Sequence, residues 1–415
     1  MSRLTLTKGR TGANTLTDYV KCSALVGYFG TTKPKSPVEG KIYLEEDKPI
    51  TLYTVDDIAS YGITDTLLTH HISEYFRVSR SGAVLWLLSV SEGDKSFKSL
   101  IESKSVKKMI AQADGNIFNL GFAYLPEMSV AKVDGMPQGL MEAIQAAQAL
   151  SDWTFSTNRP LCIGLEGAGY AGQAASVLNL RDLKISETEF NAPNVSVVIG
   201  QDWDFADSLK NEAQYYAAIG TLLGAMAKRP VSLNIGEVGT MPLTDATRGV
   251  WINAGLSNHV KVKDQEAELE TLNTKGYILA EYYSGIAVFN DGHNCAREVI
   301  DADGNMSESS MALARTNCKV FRELYEAYLP KIKSSPPLDR TGKLTTGMIR
   351  YYEGFGDDVF ARMSAAGEIS AGETTVDPDS DLVTGNKSLD VSYDWMPIGC
   401  IGRINGVINI KRSLI

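Results

Sequence analysis

The sequence predicts an α/β protein of several domains, with a central, mostly parallel α/β layer, a C-terminal α+β domain, and extended N- and C-terminal arms. Three observations lead to this prediction. Apolar runs alternate with helical patterns through the middle of the 415-residue chain, as strands buried between helices do in a parallel sheet. Alternating apolar and polar residues close the chain, which favours a β ending. The chain is also too long for one ordinary core.

The first structured region is expected at residues 23–130, after an N-terminal arm at 1–22 that is polar and has no periodicity able to bury a face. Short apolar runs bounded by Gly and Pro indicate strands, and capped stretches with helical spacing indicate helices. The predicted strands lie at 23–30, 50–55, 83–88 and 118–124, and the predicted helices at 56–61 and 67–76.

The central region, residues 131–300, continues the alternation. Its predicted helices lie at 140–150 and 211–228, and its predicted strands at 160–165, 195–199 and 231–235. Gly220 and Gly224 are one turn apart within the second helix. Because glycine inside a helix costs about 1 kcal/mol relative to alanine, we expect this helix to pack very closely against a neighbour. Ser284 and Gly285 separate two apolar runs and predict a β-hairpin.

The C-terminal domain is expected at residues 301–400. A helix at 312–329 ends at Pro330, glycines make 344–363 less regular, and 367–388 forms a polar loop. A short strand at 389–393 follows. In the last segment, a C-terminal arm or donated strand at 401–415, four apolar residues share one parity and so predict a strand with one apolar face. They are Ile404, Ile408, Ile410 and Leu414.

Composition excludes several classes of protein. The formal net charge of -10 argues against a nucleic-acid coat or a protein of anionic membrane surfaces, since both need clustered Lys and Arg. We expect no signal peptide, and no apolar stretch approaches the roughly 20 residues of a membrane span. Five scattered cysteines without C-x-x-C spacing indicate free thiols in a reducing cytoplasm.

One nucleotide-binding motif is present. Gly167, Gly169 and Gly172 match G-x-G-x-x-G directly after a predicted strand, the pattern of a dinucleotide-binding loop. However, the helical pattern that follows is barely two turns long, and the acids at the expected distance, Glu187 and Glu189, lie in a polar segment. A surface turn is the favoured interpretation, and a nucleotide-dependent oxidoreductase is kept as an alternative.

The remaining motifs do not favour catalysis. Residues 341–345 resemble the end of a phosphate loop, but Pro337 stands where glycine is required. The acids at 377–381 lack the glycine and glutamate of a calcium loop. The pairs His70-His71 and His293/Cys295 lack metal-site spacing. We therefore expect a protein that is not an enzyme and that needs no cofactor and no metal.

Several segments, taken in order, resemble the contractile tail sheath family of phages, R-type tailocins and related injection systems. No single motif is specific alone, and the expected prolines after residue 251 are replaced by residues 252–254. The resemblance covers most of residues 24–415 and depends on the order and spacing of the motifs. The first motifs are the apolar strand at 24–30, the strand and short helix at 49–62, and the aromatic residues, glycine turn and strand at 75–90. Three further motifs lie at 217–220, 248–251 and 272–277, and the helix from 312 follows them.

The resemblance implies a subunit that stacks as hexameric rings around an inner tube, contracts to drive that tube into a target cell, and contacts baseplate and tail terminator proteins. It implies no nucleic-acid or membrane partner, and a location in the producing cytoplasm and then in the assembled particle. Family members add terminal arms to a neighbour's sheet, and strand addition needs an apolar face with free backbone groups. The candidates for strand addition are Leu4, Leu6, Ile404, Ile408, Ile410 and Leu414. An internal strand of the chain's own sheet is the alternative for 404–414.

The helix at 312–329 is a candidate for contact with the tube. Its predicted exposed face carries Arg315, Lys319, Arg322, Glu323 and Glu326. A solvated helix face explains the same charge pattern. Another phage structural protein, such as a baseplate or capsid component, is the second alternative for the whole chain.

Overall fold

The computed structural model describes residues 19–40, 42–79, 81–91, 95–385 and 387–410. The strands are β1 (Cys22–Gly27), β2 (Ile50–Leu52), β3 (Val84–Ser89), β4 (Asn119–Phe122), β5 (Lys132–Val133), β6 (Met136–Pro137), β7 (Cys162–Glu166), β8 (Leu183–Ile185), β9 (Thr188–Phe190), β10 (Val195–Val198), β11 (Gly200–Asp202), β12 (Ala254–Leu256), β13 (Val260–Lys261), β14 (Ala280–Tyr283), β15 (Ile286–Phe289), β16 (Ile369–Val376) and β17 (Val391–Pro397). The α-helices are α1 (Asp57–Ser60), α2 (Thr66–Val78), α3 (Phe97–Glu102), α4 (Lys104–Gln112), α5 (Leu140–Ser156), α6 (Trp203–Ser208), α7 (Ile219–Lys228), α8 (Glu266–Thr274), α9 (Met311–Tyr328) and α10 (Thr346–Ala365). Within these ranges, no helix is both long enough and apolar enough to cross a membrane.

The central feature is a six-stranded sheet with the order β10-β7-β4-β1-β3-β2. All its strands are parallel except the edge strand β2, which pairs antiparallel with β3. Every residue of β1, β4, β7 and β10 is buried, which is why these strands are continuous apolar runs in the sequence. The predicted α/β class with a mostly parallel layer is confirmed.

The sheet takes strands from both the 23–130 and the 131–300 regions, and one hydrophobic core runs through them. The strand order reverses at β1, because β3 lies on one side of it and β4 on the other. In open α/β sheets, the crevice outside the carboxyl ends of the strands at such a reversal is the usual ligand position. The residues just after β1 and β4 and at the end of β7 lie at this position.

Helix α7 packs on the sheet and on α2 at unusually short range. Gly220 and Gly224 face α2, where a Cβ added at Gly220 would lie 2.6 Å from the Cα of His71. A Cβ added at Gly224 would lie 2.8 Å from the carbonyl oxygen of Tyr75. The close helix contact expected from these glycines is present, and backbone-to-backbone packing replaces side-chain packing there.

The structure differs from two predicted elements of the central region. The predicted helix at 211–228 is broken into a 3₁₀ helix, Asn211–Tyr215, and the helix α7. Between them the Ala217 amide donates to the Glu166 carboxyl and the Tyr216 carbonyl accepts from Gln201, so tertiary hydrogen bonds replace helical ones. The predicted strand at 231–235 forms turns instead. The predicted hairpin is confirmed as β14 and β15, with Ser284 and Gly285 both at positive φ.

The C-terminal part is built from α9, α10 and the antiparallel pair β16–β17. The glycine-containing segment predicted to be irregular is the continuous helix α10, and the predicted loop at 367–388 contains β16. Gly356 faces Thr374 so closely that a Cβ there would lie 2.9 Å from the Thr374 methyl carbon. This glycine is therefore used for packing of the helix on the strand.

Helix α9 joins two cores. Met311, Ala314 and Cys318 belong to the main core under the sheet, whereas Val320 and Leu324 belong to a smaller core with Phe360 and Met363 of α10. The amino-terminal half of this helix is therefore anchored in the α/β layer, and its carboxyl-terminal half carries the C-terminal hairpin lobe.

Candidate assembly surface

The glycine-rich loop at 167–172 is a packed turn. The amide of Gly167 donates to Val198, that of Gly169 to Tyr215 and that of Ala171 to Gly135, all at 2.8–2.9 Å. A dinucleotide site needs such amides free to bind pyrophosphate and needs a helix N-terminus behind them. Here a 3₁₀ helix of three residues, Ala174–Ser176, follows the loop. The segment is a turn, but residues 167–170 are buried, so the interpretation as a surface turn is wrong in its position. The oxidoreductase alternative gains no support.

A cavity of about 490 Å³ occupies the carboxyl edge of the sheet at the strand-order reversal. Tyr28, Tyr124 and Glu166 reach it from the ends of β1, β4 and β7, and His71 reaches it from α2. The two Glu166 oxygens accept from the amides of Ala217 (2.9 Å) and Tyr124 (2.8 Å). Glu166, the last residue of β7, therefore ties the segment after β4 to the segment that leads into α7.

His71 and Glu166 form a neutral buried pair. The Nε2 atom of His71 lies 3.9 Å from Oε1 of Glu166, and neither ring nitrogen has a hydrogen-bond partner among the described residues. Burial raises the pKa of Glu166 to about 8 and lowers the pKa of His71 to about 3. Near pH 7 both groups are uncharged, so the contact is not an ion pair.

The burial of Glu166 predicts a specific pH dependence. Since its pKa is about 8 in the folded chain and 4.5 in an exposed one, its contribution to stability is complete below pH 4.5 and is lost as the pH rises through 8. Glu166→Gln keeps an acceptor and cannot ionise. We expect the free energy of unfolding of the native chain to fall, relative to that of the variant, by on the order of 4 kcal/mol between pH 4.5 and 8. Urea titrations of both proteins across this range measure the difference, and parallel pH profiles would contradict the account.

The other sequence motifs have structural explanations. Asp339 accepts from the backbone of Thr341 and Lys343, which closes the phosphate-loop look-alike as a turn. Asp381 accepts from the amides of Val383 and Thr384 within its own loop. The described residues contain no group of three or more His, Cys, Asp or Glu placed to hold a metal ion.

The predicted charged face of α9 requires correction. Arg315 and Arg322 are buried, because both side chains reach backbone carbonyls of the α/β layer. Arg315 donates to the carbonyls of Met226 and Arg229 at the end of α7. Since both guanidinium groups lie inside the subunit, neither belongs to a surface that meets another protein.

Arg322 forms the larger clamp. It donates to the carbonyls of Gly115 (2.5 Å), Ile117 (2.8 Å), Arg159 (3.3 Å) and Pro160 (2.6 Å), the chain segments that lead into β4 and β7. A fixed planar fork of five N–H donors suits this geometry. Arg322 thereby holds α9 together with the two segments that lead into β4 and β7.

The other three members of the predicted face differ among themselves. Lys319 pairs with Glu368 at 2.6 Å, and Glu323 lies 3.6 Å from Arg362. Both are half-buried within the subunit, whereas Glu326 is exposed. For contact between α9 and an inner tube, Arg315 and Arg322 are therefore wrong, whereas Lys319, Glu323 and Glu326 stay predictions, with Glu326 the most exposed of the three.

The C-terminal hairpin and the tail that follows it form an uncovered apolar surface. β16 and β17 form a sheet of two strands only among the described residues. The outer edge of β16 faces α10, where Asp357 and Glu353 accept from the amides of Thr374 and Val376, so the outer edge of β17 is the one left for another strand. Residues 398–410 leave β17 and form no helix or strand. Ile404, Ile408 and Ile410 are 86%, 96% and 102% exposed. The alternative of an internal strand is therefore wrong for the tail up to residue 410.

Leu4, Leu6 and Leu414 lie outside the described residues, so their predicted part in strand addition stays a prediction. In the described tail, Ile401 and Val407 are also exposed. We define residues 398–410 as the apolar tail. A large uncovered apolar segment marks an interaction surface, and this one is the strongest candidate among the described residues.

Comparison with known proteins gives a family for the chain and solved structures of similar fold. The family model DUF2586, N-terminal domain, matches residues 25–289, which is more than half of the chain. The chain belongs to the DUF2586 family. The match runs from within β1 to the end of β15, so the family model covers the α/β layer. Helix α9, the hairpin lobe and the apolar tail lie beyond it. Among curated proteins, no sequence is significantly similar to this chain.

Solved structures share the fold over nearly the whole length. A chain in the six-fold symmetrised cryo-EM structure of the anti-feeding prophage baseplate is 13% identical, with a TM-score of 0.58, over 100% of this chain and 99% of that one. A sheath tail protein from Desulfitobacterium hafniense is 11% identical, with a TM-score of 0.51, over 91% of this chain and 96% of that one. This DUF2586 chain therefore has a sheath-like fold, and the resemblance inferred from motif order is confirmed at the level of the fold.

Sequence reasoning missed the structural roles of Glu166, of Arg322 and of the Cys162–Cys318 pair. Glu166 ends an apolar run and directly precedes the glycine loop, so an isolated acid at the end of a buried strand was the available signal. Arg322 sits in a charged helix pattern that looks solvated, and nothing local distinguishes it from Glu326. The proximity of Cys162 to Cys318 depends on tertiary structure alone.

Proposed function

We propose that this chain is a structural subunit of a contractile tail or injection particle, which polymerises as stacked hexameric rings around an inner tube and contracts to drive that tube into a target cell. The sheath-like fold supports the class of protein. The apolar tail is the single observation that carries the assembly mechanism. Its isoleucines are exposed to water in an isolated subunit, and contact with a neighbouring subunit would bury them.

In the proposed mechanism, the apolar tail of one subunit adds a strand to the outer edge of β17 in a neighbour. Backbone groups of the open edge supply the hydrogen bonds, and side chains of one parity supply the apolar contact. The 13 residues from 398 to 410 can span roughly 40 Å when extended, which is enough to leave one subunit and reach the next. The energy of contraction would come from changed contacts between subunits, so no nucleotide is required.

The partners in this proposal are other copies of the chain, an inner tube protein, and baseplate and terminator proteins at the two ends. Glu326 is retained as a possible point of contact with the tube because it is exposed on α9. We propose that the protein is made in the bacterial cytoplasm and then becomes part of the particle.

Variants of the apolar tail test strand addition. Replacing Ile404, Ile408 and Ile410 together by Asp should abolish high-molecular-weight assemblies in sedimentation velocity while leaving the thermal unfolding midpoint of the monomer within about 1 °C, since surface changes outside packed features have little effect on stability. Asn405→Asp with Asn409→Asp is the matched control on the other parity and should assemble. Loss of folding in the isoleucine variant, or assembly equal to that of the native chain, would refute strand addition by the tail.

A baseplate ring component is the second candidate. The chain of the anti-feeding prophage baseplate structure is similar over its full length, which favours this alternative over a capsid protein. A baseplate component would form closed rings, and a sheath subunit would form extended tubes. Electron micrographs of the assemblies separate the two.

A further inference from the structure

Two buried cysteines meet where α9 packs on the sheet. Cys162 is the first residue of β7 and Cys318 lies in α9, 156 residues further along the chain. Their sulfur atoms are 3.8 Å apart, and Asn194 Nδ2 lies 3.4 Å from the Cys318 sulfur.

The surroundings of this pair carry positive charge. Arg315 is fully buried, and its Nε and Nη1 atoms have no hydrogen-bond partner among the described residues. The ionisable groups that act on it among the described residues are Cys162, Cys318 and Arg229, and none of them is a carboxylate. A buried cation without an acid favours an anionic form of a nearby group.

The thiols differ in their readiness to ionise. A hydrogen bond from Cys318, together with the charges of Arg315 and Arg322, lowers the pKa of Cys162, whereas burial raises the pKa of Cys318. In a reactive thiol pair, one thiolate is the nucleophile and the second thiol resolves the intermediate. At 3.8 Å, the Cys318 sulfur is placed to resolve an oxidised Cys162.

We propose that Cys162 and Cys318 are a redox-active pair that a peroxide converts into an intramolecular disulfide, which fastens α9 to the sheet. The Cys162 thiolate attacks one oxygen of hydrogen peroxide, forms sulfenic acid and releases hydroxide. The Cys318 sulfur then attacks the sulfenic sulfur, the S–S bond forms, and the sulfenic oxygen leaves as water. Overall, two thiols and one peroxide give one disulfide and two waters.

The disulfide would connect the helix that carries the hairpin lobe to the α/β layer. In a reducing cytosol the pair stays as two thiols, and outside the cell it becomes oxidised. The bond would close a loop of over 150 residues and so restrict the unfolded chain strongly. The proposal concerns one subunit and does not depend on ring assembly.

Thiol counting and peptide mapping test this proposal. The purified full-length protein is treated with hydrogen peroxide or with dithiothreitol, unfolded in guanidinium with N-ethylmaleimide, and digested without reduction. Peroxide should lower the number of free thiols from five to three, produce a Cys162–Cys318 linked peptide, and raise the thermal unfolding midpoint by several degrees.

Two variants keep the test decisive. Cys400→Ser removes the exposed thiol and should still give the linked peptide, whereas Cys318→Ala lacks the resolving thiol and should give neither a linked peptide nor a higher unfolding midpoint after peroxide treatment. If Cys318→Ala does not fold, the linked peptide and the midpoint shift in Cys400→Ser decide alone. Five free thiols after peroxide treatment of the native chain, or a disulfide that involves another pair, would overturn the proposal.

Discussion

Arg322→Met is expected to lower the free energy of unfolding by roughly 3–5 kcal/mol, because it removes a buried charged donor group and leaves several carbonyls without a partner. The Arg322 guanidinium donates to four backbone carbonyls at the entries to β4 and β7. Methionine retains much of the apolar stem but supplies no donor. Urea denaturation followed by tryptophan fluorescence measures the loss.

Arg362→Met is the matched control. Arg362 is 62% exposed, and it lies 3.6 Å from Glu323. An exposed pair of this kind contributes about 0–1 kcal/mol, so the control should be nearly as stable as the native chain. Equal effects of the two substitutions would mean that the carbonyl clamp does not hold α9 to the sheet.

Gly220→Ala should destabilise the chain by about 3 kcal/mol or more, because the clash is with backbone and not with a movable side chain. The added Cβ would lie 2.6 Å from the Cα of His71. Relief requires α2 and α7 to separate along the contact that includes Gly224 and Tyr75. Calorimetry should show a lower unfolding midpoint for this variant.

Gly354→Ala provides the opposite result from the same chemical change. Gly354 lies in α10, and a Cβ added there meets no atom within 4 Å. Alanine is favoured over glycine in a helix interior by about 1 kcal/mol, so this variant should be slightly more stable. A neutral Gly220→Ala beside a stabilising Gly354→Ala would show that the α2–α7 contact is looser than the structure indicates.

The sheet could be predicted from sequence because its strands are buried on both faces. Continuous apolar runs gave the positions of β1, β3, β4, β7 and β10 to within a few residues. The hairpin β14–β15 followed from its turn residues. The apolar runs and the turn residues are local in the sequence, so they were sufficient to locate these strands.

The sequence-based predictions of helices were wrong where tertiary contacts determine the backbone conformation. The break before α7 depends on hydrogen bonds of Tyr216 and Ala217 with residues far along the chain. α10 is continuous although it contains three glycines, because Gly356 is required for packing on β16 while Gly347 and Gly354 meet no neighbour. Local glycine content predicts irregular backbone and cannot distinguish these two situations.

The candidate assembly surface was predicted in part. Period-two spacing identified Ile404, Ile408 and Ile410, and the structure adds that they are exposed and unpaired in the subunit. Charge patterning on α9 gave the wrong surface, because a long arginine side chain can turn inward whenever carbonyl groups lie within its reach. The burial of Arg315 and Arg322 could not be inferred from their spacing.

Negative-stain electron microscopy of the purified chain over a concentration series tests the central proposal most directly. We expect the full-length protein to form rings and tubes of uniform diameter, and a variant truncated after Gly402 to remain a folded monomer with an unchanged unfolding midpoint. A full-length chain that stays monomeric at every concentration, or truncated chains that assemble as well as complete ones, would contradict assembly through the apolar tail.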